Sequence, residues 1–410
     1  MEWPRLIAGL TRVVRDVGLA EELAQDALVA ALEHWPSSGV PDNPGAWLMA
    51  TAKRRAIDEV RRQKRLTRKH EELGLEAVTD ATSERERLAE GLNQQLDDQI
   101  SDDLLRLLFI ACHPVLSMEA RVALTLRLLG GLTTEEIARA FLLPEPTIAQ
   151  RIVRAKRTLA ERGAAFELPR GEELSERLAS VLGVIYLIFN EGYSATAGED
   201  LMRPGLCEDA LRLGRILAQQ APTEPEAHGL IALMELQASR SAARVGPTGE
   251  AVLLLEQNRG RWDQLLIGRG LRALARAQEL GGGAGPYALQ AAIAACHARA
   301  GAASQTDWPR IAQLYGLLAQ LTQSPIVELN RAVAVAMAEG PAAGLALVEP
   351  LIAEPALASY HLLPSVRGDL LEKLGRPAEA AEQFERAASL TRNTRERAVL
   401  LGRAAACRSG

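Results

Sequence analysis

The feature that most constrains this chain is a helical pattern that persists over almost its whole length. Ala, Leu, Arg and Glu dominate, only 4% of the 410 residues are aromatic, and no segment alternates apolar and polar residues as a strand would. Gly and Pro residues interrupt the pattern at intervals and indicate turns. The sequence therefore predicts an all-α protein built from short helices, without a sheet.

Length and apolar content predict several compact domains in the cytoplasm. About 48% of the chain is hydrophobic, enough to form cores in about two to four domains. The longest apolar run, Val181 to Phe189, is about half of the roughly 18 residues that a membrane span needs, and the N-terminus lacks a signal-peptide pattern. Four separated cysteines without a C-x-x-C pair argue against disulfides and zinc. We expect no membrane contact, no metal and no cofactor.

Positive charge is concentrated in two segments of an otherwise acidic chain. The net charge is −5, yet Lys53 to Lys69 contains nine Lys or Arg against two acidic residues. Gln150 to Arg162 contains five basic residues against Glu161 alone. Two separate basic helices favour two focused contacts with a polyanion.

The chain divides into two N-terminal helical units and a long extension. Residues 1–70 and 102–163 have strong helical periodicity, whereas residues 71–101 are polar, acidic and weakly periodic, as is typical of a linker. Residues 171–410 follow as helix pairs. If Gly368 takes position 8 of a 34-residue tetratricopeptide unit, the positions that need large, small or aromatic residues fit the pattern, namely Leu371, Ala380, Phe384 and Ala387. Gly340 suggests one degenerate repeat upstream.

The strongest local motif is a helix-turn-helix between Thr133 and Arg162. Thr133 and Glu136 form a capping box, and a turn precedes a second helix opened by Pro146. That helix has a buried apolar stripe, predicted at Ile148, Ile152, Ala155 and Leu159. Its polar side suits a DNA major groove, because Arg and Gln pair with guanine and adenine edges. We expect DNA contacts from Thr147, Gln150, Arg151, Arg154 and Lys156. The alternative is a solvated basic helix in an ordinary bundle.

The first basic segment carries a family resemblance. Residues 43–62 read NPGAWLMATAKRRAIDEVRR, which resembles the promoter-melting helix of extracytoplasmic-function sigma factors, bacterial subunits of RNA polymerase. The resemblance implies that this helix holds the minus-ten element and that the loop at residues 37–43 captures flipped bases. The side chains expected to contact DNA are Asn43, Trp47, Lys53, Arg54, Arg61 and Arg62. The helix-turn-helix would then read the minus-35 element.

The preceding helix resembles the sigma segment that grips the beta-prime clamp of the polymerase. Leu19, Leu23, Ala27, Leu28, Ala31, Leu32 and Trp35 are predicted to form its core face. An acidic stripe on a DNA-binding domain would repel DNA, whereas a protein partner can use it. The residues matching the clamp contacts are Glu22, Gln25 and Asp26. The same resemblance implies core RNA polymerase, through its beta-prime clamp and beta flap, and promoter DNA as partners.

The extension is similar to that of a sigma subgroup with predicted tetratricopeptide repeats. The similarity rests on segments such as Ile188 to Ser194 and Gln257 to Asp263. We expect the extension to modulate activity, acting in place of a separate regulator or with a regulator of unknown identity. Within the holoenzyme the chain would associate with the nucleoid.

Two other functional classes fit the sequence less well. An enzyme would need a reactive constellation, but Glu191 with Tyr193, Trp262 with Asp263, and the adjacent Cys-His pairs at 112–113 and 296–297 lack triad or metal-ligand spacing. The second alternative is a helix-turn-helix regulator or helical-repeat scaffold that acts without polymerase. The clamp-like helix argues against it. The sequence therefore predicts a non-enzymatic sigma factor with a helical extension.

Overall fold

The structure is a computed structural model of the chain, and it describes residues 3–71, 96–141, 143–164, 166–169, 172–194, 202–246, 252–391 and 393–409. For residues 60–71, 96–102, 172 and 409 it describes the backbone alone. The chain divides into two compact units, Met1–Val184 and Ile185–Gly410. Most of the predicted linker, residues 72–95, lies outside the described residues. The predicted domain boundaries stay predictions.

The described part of the N-terminal unit is helical. Its helices are α1 (Trp3–Val14), α2 (Val17–Ser38), α3 (Pro44–Glu71), α4 (Leu96–Ala111), α5 (Met118–Thr125), α6 (Thr134–Phe141), α7 (Glu145–Glu161) and the first half of α8 (Glu172–Tyr193). A π-helical turn, Leu126–Gly130, continues α5, and Gly131 ends it with a φ of 75°. This left-handed conformation favours glycine because it lacks a Cβ.

Helices α1 to α3 bury a small-residue core. Asp16 caps α2 by accepting a hydrogen bond from the Leu19 amide at 2.9 Å, and Asn43 caps α3 through the Ala46 amide at 3.0 Å. Small side chains let the helices approach closely, and the fully buried ones are Ala8, Ala20, Ala24, Ala27, Ala52 and Ala56. Part of the α2 prediction was wrong: Leu28 is 39% exposed and Leu32 is 75% exposed.

Helices α5 to α7 form the predicted helix-turn-helix unit. The Glu136 amide donates to the Thr133 hydroxyl at 3.1 Å, and the Thr133 amide donates to the Glu136 carboxylate at 2.8 Å. This reciprocal capping box confirms the predicted start of α6. The predicted core stripe of α7 is also confirmed, since its four side chains are at most 5% exposed: Ile148, Ile152, Ala155 and Leu159.

The two halves of the N-terminal unit are in direct contact. Helix α1 packs along α4, and the Trp3 indole N–H donates to the Arg127 carbonyl at 3.3 Å. The first half of α8 also belongs to this unit, because Arg177 donates to the Phe109 carbonyl at 2.9 Å and Ser180 donates to the Cys112 carbonyl at 2.7 Å. The unit therefore holds both predicted DNA-binding regions together.

The second unit consists of successive helix pairs. Its helices after α8 are α9 (Pro204–Gln220), α10 (Pro225–Ala238), α11 (Gln264–Glu279), α12 (Pro286–Arg299), α13 (Trp308–Thr322), α14 (Pro325–Glu339), α15 (Pro341–Val348), α16 (Leu362–Lys373), α17 (Pro377–Leu390) and α18 (Thr394–Ser409). Pro occupies the first turn of most of them, where its missing N–H leaves no bond unmade. Across the described ranges no sheet forms, so the all-α prediction is confirmed.

The α16–α17 pair has the packing that the repeat pattern predicts. Leu371, Ala380 and Phe384 are fully buried, and a Cβ at Gly368 would lie 2.9 Å from the Phe384 ring. Only a residue without a side chain lets α16 approach α17 so closely. Burial of the Phe384 ring contributes about 2–3 kcal/mol to stability.

Candidate nucleic-acid interface

Helix α7 presents a polar face opposite its buried stripe. Thr147, Gln150 and Arg154 are exposed, and Arg151 is partly exposed. Arg154 has no ion-pair partner among the residues that the structure describes. A guanidinium that is not neutralised inside its own chain can pair with a phosphate or a guanine edge. The face is therefore open to a ligand of opposite charge.

Lys156, predicted for the same interface, lies instead against α2. Its ammonium group forms an ion pair with Glu21, and its side chain is only 21% exposed. The Arg127 guanidinium reaches the other carboxylate oxygen, with Nε 2.6 Å from Oε1. Glu21 itself is buried, with a relative exposure of 2%. A buried carboxylate needs such partners, because burial without them is strongly unfavourable.

Helix α3 carries the other predicted DNA contacts on a partly exposed face. Trp47 is half-buried, and its ring lies edge-on to Trp35 with centroids 5.5 Å apart. Arg54 is exposed. The side chains of Arg61 and Arg62 lie outside the described residues, although α3 continues beyond them to Glu71.

Lys53, another residue of the predicted minus-ten group, faces the second half of the unit. Burial and the nearby Arg12 guanidinium lower the pKa of Lys53, and Asp103 opposes that shift. Asp103 lies in the middle of α4, is 3% exposed and pairs with Arg12 at 3.5 Å. Each half of the unit thus has a buried carboxylate near a lysine of the other half.

The polar stripe of α2 is exposed as predicted at Glu22, Gln25 and Asp26. Asp26 pairs with Arg55 of α3 at 3.3 Å, and the Gln25 amide donates to Glu21 at 3.1 Å. Three exposed apolar side chains lie on the same helix: Leu28, Val29 and Leu32. Acidic groups beside exposed apolar ones are typical of a protein interface rather than a DNA surface.

The sequence pattern does not predict Glu21 as a contact between the two halves. Glu21 is one of two adjacent acidic residues, and such a pair is typical of an exposed face. A signal was present, because Val17 and Ala24, one turn before and after Glu21, are both apolar and both buried. A charged residue in the middle of an apolar stripe is typical of a buried ion pair.

The polar groups that could have suggested an enzyme have structural partners. Asp263 caps α11 through the Leu266 amide at 3.0 Å, and Glu191 forms an ion pair with Arg203. Burial raises the pKa of the Cys112 thiol to about 12, so it is not a nucleophile at neutral pH. In the described ranges, no cluster of His, Cys, Asp or Glu could hold a metal ion. Nor is any described helix both long and apolar enough to span a membrane.

Comparison with protein families matches both halves of the N-terminal unit. Residues 3–66 match Sigma-70 region 2, and residues 106–159 match Sigma-70, region 4. Residues 177–278 match a family of unknown function (DUF6596).

Comparison with individual proteins gives the same picture. The chain is 44% identical over 97% of its length to an uncharacterised protein of Rhizobium meliloti, of which it covers 92%. It is 28% identical over 36% of its length to an ECF RNA polymerase sigma factor SigK of a Mycobacterium species, of which it covers 72%. The crystal structure of yeast Tom70 aligns over 100% of this chain and 82% of its own chain, with 12% sequence identity. The TM-score is 0.32, which is too low to bear on the fold.

The order of these regions agrees with the geometry. The region 2 match contains α2 and α3, and the region 4 match contains the helix-turn-helix. Sigma factors act in transcription initiation and are not enzymes. The chain therefore belongs to the extracytoplasmic-function sigma factors of RNA polymerase and carries a helical C-terminal extension.

Proposed function

We propose that α7 reads the minus-35 element of the promoter. The observation that carries this proposal is the open polar face of α7, with Gln150 and Arg154 exposed opposite a fully packed apolar stripe. A helix with one face anchored and the other free can enter a major groove without disturbing the fold. Thr147 and Arg151 extend the same face, and Lys156 joins it when it leaves Glu21.

Helix α3 and the segment before it would hold the minus-ten element. Arg54 is exposed for phosphate contact, and Asn43 fixes the start of α3 directly after the proposed capture loop, residues 37–43. Trp47 offers a half-buried aromatic ring next to that loop, on which an unstacked base can pack. Lys53, Arg61 and Arg62 would add phosphate contacts along the helix.

Helix α2 would bind the beta-prime clamp of core polymerase. Glu22, Gln25 and Asp26 supply the polar contacts, and the exposed Leu28 and Leu32 supply apolar area in the same interface. Residues 102–163 would contact the beta flap. With polymerase bound, the protein would lie in the cytoplasm at the nucleoid.

The contact between the two halves gives a reason why the free chain would bind promoters poorly. Lys156 cannot contact phosphate while it pairs with Glu21, and Lys53 is half-buried beside Asp103. The two halves must also separate before they can reach elements that lie apart on DNA. Core polymerase would supply the free energy for this separation by binding the separated form more tightly.

Reconstituted transcription tests the proposal. Purified chain, core RNA polymerase and a library of promoter templates should give runoff products whose start sites depend on both promoter elements. The variant Arg154→Ala should depend less strongly on the minus-35 element. Equal transcription from all templates, with or without the chain, contradicts the proposed roles.

The extension would modulate this activity. Its test is a chain that ends at Val184, which keeps the contacts of Arg177 and Ser180 with the N-terminal unit. A chain that ends at residue 170 would lose both contacts and confuse instability with regulation. Transcription by the shorter chain should differ from that of the full chain. Equal output, at equal occupancy of core polymerase, contradicts a modulating role.

A further inference from the structure

Three arginines in the second unit lie together without a carboxylate partner. Among the described residues, no Asp or Glu lies within 4.0 Å of Arg240, Arg244 or Arg259 as an ion pair. The nearby acids are engaged elsewhere: Glu191 with Arg203, Glu235 with Arg215 at 2.9 Å, and Glu396, which interacts with Arg244 at longer range, with His361 at 3.3 Å. Three guanidinium charges therefore lie in one partly buried region without a carboxylate in direct contact, and like charges repel more strongly there than in water.

Two aromatic rings connect the three guanidinium groups. Arg244 lies 3.7 Å from the centroid of the Tyr193 ring, and Arg259 lies 4.8 Å from that of Trp262. Arg240 lies between the rings, 5.9 Å from Tyr193 and 5.8 Å from Trp262. The two sequence segments singled out in the extension, around Tyr193 and around Trp262, thus meet at this cluster. All three arginines remain partly exposed to solvent.

Backbone carbonyl groups accept hydrogen bonds from two of these arginines. Arg244 donates to the Tyr193 carbonyl at the end of α8, and Arg259 donates to the Ala300 carbonyl at 2.7 Å, beyond the end of α12. Helix C-termini carry only partial negative charge. Arg240 bonds to the neutral Tyr193 hydroxyl at 2.7 Å and to the Gln237 amide. The carbonyls therefore satisfy donors without balancing the charge.

Several buried polar atoms of the same cluster have no hydrogen-bond partner: the Trp262 indole Nε1, His297 Nδ1, Arg259 Nε and Gln257 Oε1. Trp262 is 4% exposed and His297 is 9% exposed. Burial, with Arg240 and Arg259 nearby, lowers the pKa of His297 to about 4, which keeps the imidazole neutral at pH 7. Unsatisfied buried polar groups are rare in native proteins, and two of these, Trp262 Nε1 and Arg259 Nε, are hydrogen-bond donors.

We infer that the cluster of Arg240, Arg244 and Arg259 binds the phosphate group of a small molecule. A phosphate offers oxygens to the unsatisfied donors and neutralises most of the +3 charge. Guanidinium groups pair with phosphate oxygens through two parallel hydrogen bonds. A single carboxylate has a charge of only −1 and would balance the positive charge of the cluster less well. The aromatic rings hold the guanidinium planes in place before the ligand arrives. The site lies in the extension, and its test does not depend on promoter binding.

Thermal unfolding and calorimetry of the full chain test this site. Inorganic phosphate should raise the Tm saturably, by about 4 °C at millimolar concentration, relative to sodium chloride of equal ionic strength. Arg240→Gln should abolish that increment and the binding heat. Arg261→Gln, which changes an exposed arginine of the same segment, should retain both.

The variant Arg240→Lys keeps the positive charge but loses the planar geometry of the guanidinium donors. It should therefore bind phosphate at least about tenfold more weakly than the unchanged chain. The increment in Tm is compared within each variant, so a lower starting stability of Arg240→Gln does not affect the result. No increment with phosphate overturns the inference, as does an equal increment in Arg240→Gln. If acetate stabilises the chain as strongly as phosphate, the assignment to phosphate is wrong.

Discussion

The ammonium group of Lys156 in α7 forms an ion pair with the buried carboxylate of Glu21 in α2. This contact joins the proposed minus-35 helix to the helix that would bind polymerase. Arg127 shares the same carboxylate, so one acidic side chain pairs with two basic ones. The same charge that would attract DNA phosphate is thus used within the chain when the halves are together.

Glu21→Gln is expected to loosen the contact between the halves. The amide cannot balance Lys156 and Arg127, and loss of one partner of a buried ion pair costs about 3–5 kcal/mol of stability. The freed Lys156 should also strengthen binding of the free chain to promoter DNA by about tenfold, or about 1.4 kcal/mol. Fluorescence anisotropy with a labelled duplex and urea unfolding measure the two effects.

The matched control is Glu22→Gln, which removes the same charge from the next, exposed position of α2. It should leave both DNA binding by the free chain and urea stability unchanged. Equal effects of the two substitutions would mean that overall charge, and not the ion pair, limits DNA binding.

Arg154→Ala should reduce discrimination at the minus-35 element. A guanidinium that pairs with a base edge contributes about 1–3 kcal/mol of discrimination. Competition between the preferred element and single-base variants of it, in runoff transcription, measures the change. Arg157→Ala serves as the control, because Arg157 pairs with Glu161 at 2.6 Å on the exposed side of α7. If both variants discriminate equally, α7 does not read the element through Arg154.

Gln25→Ala combined with Asp26→Ala should weaken binding to core polymerase by about tenfold, with a faster dissociation rate. The substitutions remove two polar groups from the proposed clamp surface, with the Gln25–Glu21 hydrogen bond and the Asp26–Arg55 ion pair, but no buried apolar side chain of α2. Surface plasmon resonance with immobilised core enzyme measures the rate. Glu279→Ala removes an exposed acid from α11 in the second unit and should have no effect. Unchanged affinity of the double variant would remove these residues from the interface.

Gly368→Ala and Gly402→Ala should change stability in opposite directions. At Gly368 a Cβ would lie 2.9 Å from the Phe384 ring and 3.2 Å from the Ala380 carbonyl, so α16 and α17 must move apart. Gly402 is exposed in α18, and a Cβ added there would have no neighbouring atom within 4 Å. Alanine at this position should therefore raise the free energy of unfolding by about 0.5–1 kcal/mol. Thermal unfolding distinguishes them. A stabilising Gly368→Ala would contradict the close packing of the repeat.

Acidification should destabilise the second unit through His297. Its pKa lies near 4 in the folded chain and near its ordinary 6.5 when unfolded, so between these values the unfolded chain binds a proton that the folded chain does not. Stability is therefore lost as pH falls from about 6.5 to 4. The loss from pH 7 to pH 5 should be about 2 kcal/mol.

Urea unfolding at the two pH values measures this loss, and His297→Gln should remove it because the amide does not titrate. His34→Gln changes an exposed histidine of the first unit and should leave the loss of stability between pH 7 and pH 5 unaltered. If the loss of stability persists in His297→Gln, other titratable groups cause it.

Local patterns predicted the elements of the proposed promoter-binding surface well. The capping box at Thr133 and the Asn43 cap depend on neighbouring residues in the chain, as does the apolar stripe of α7, so sequence spacing is sufficient to find them. The prediction that Leu28 and Leu32 face the core failed for a related reason. Helical spacing shows that they lie near the apolar side of α2, but not how wide a core α1 and α3 can cover.

The sequence alone determined the all-α fold, the order of the two sigma regions, the basic faces of α3 and α7, and the small-residue spacing of the last repeat. These follow from periodicity, caps and local charge. Only the tertiary structure decided that Lys156 meets Glu21, that Lys53 lies near Asp103, and that Arg240 lies between Tyr193 and Trp262. Each joins residues far apart in the chain, and the packing of whole helices, which no local pattern encodes, fixes their distances.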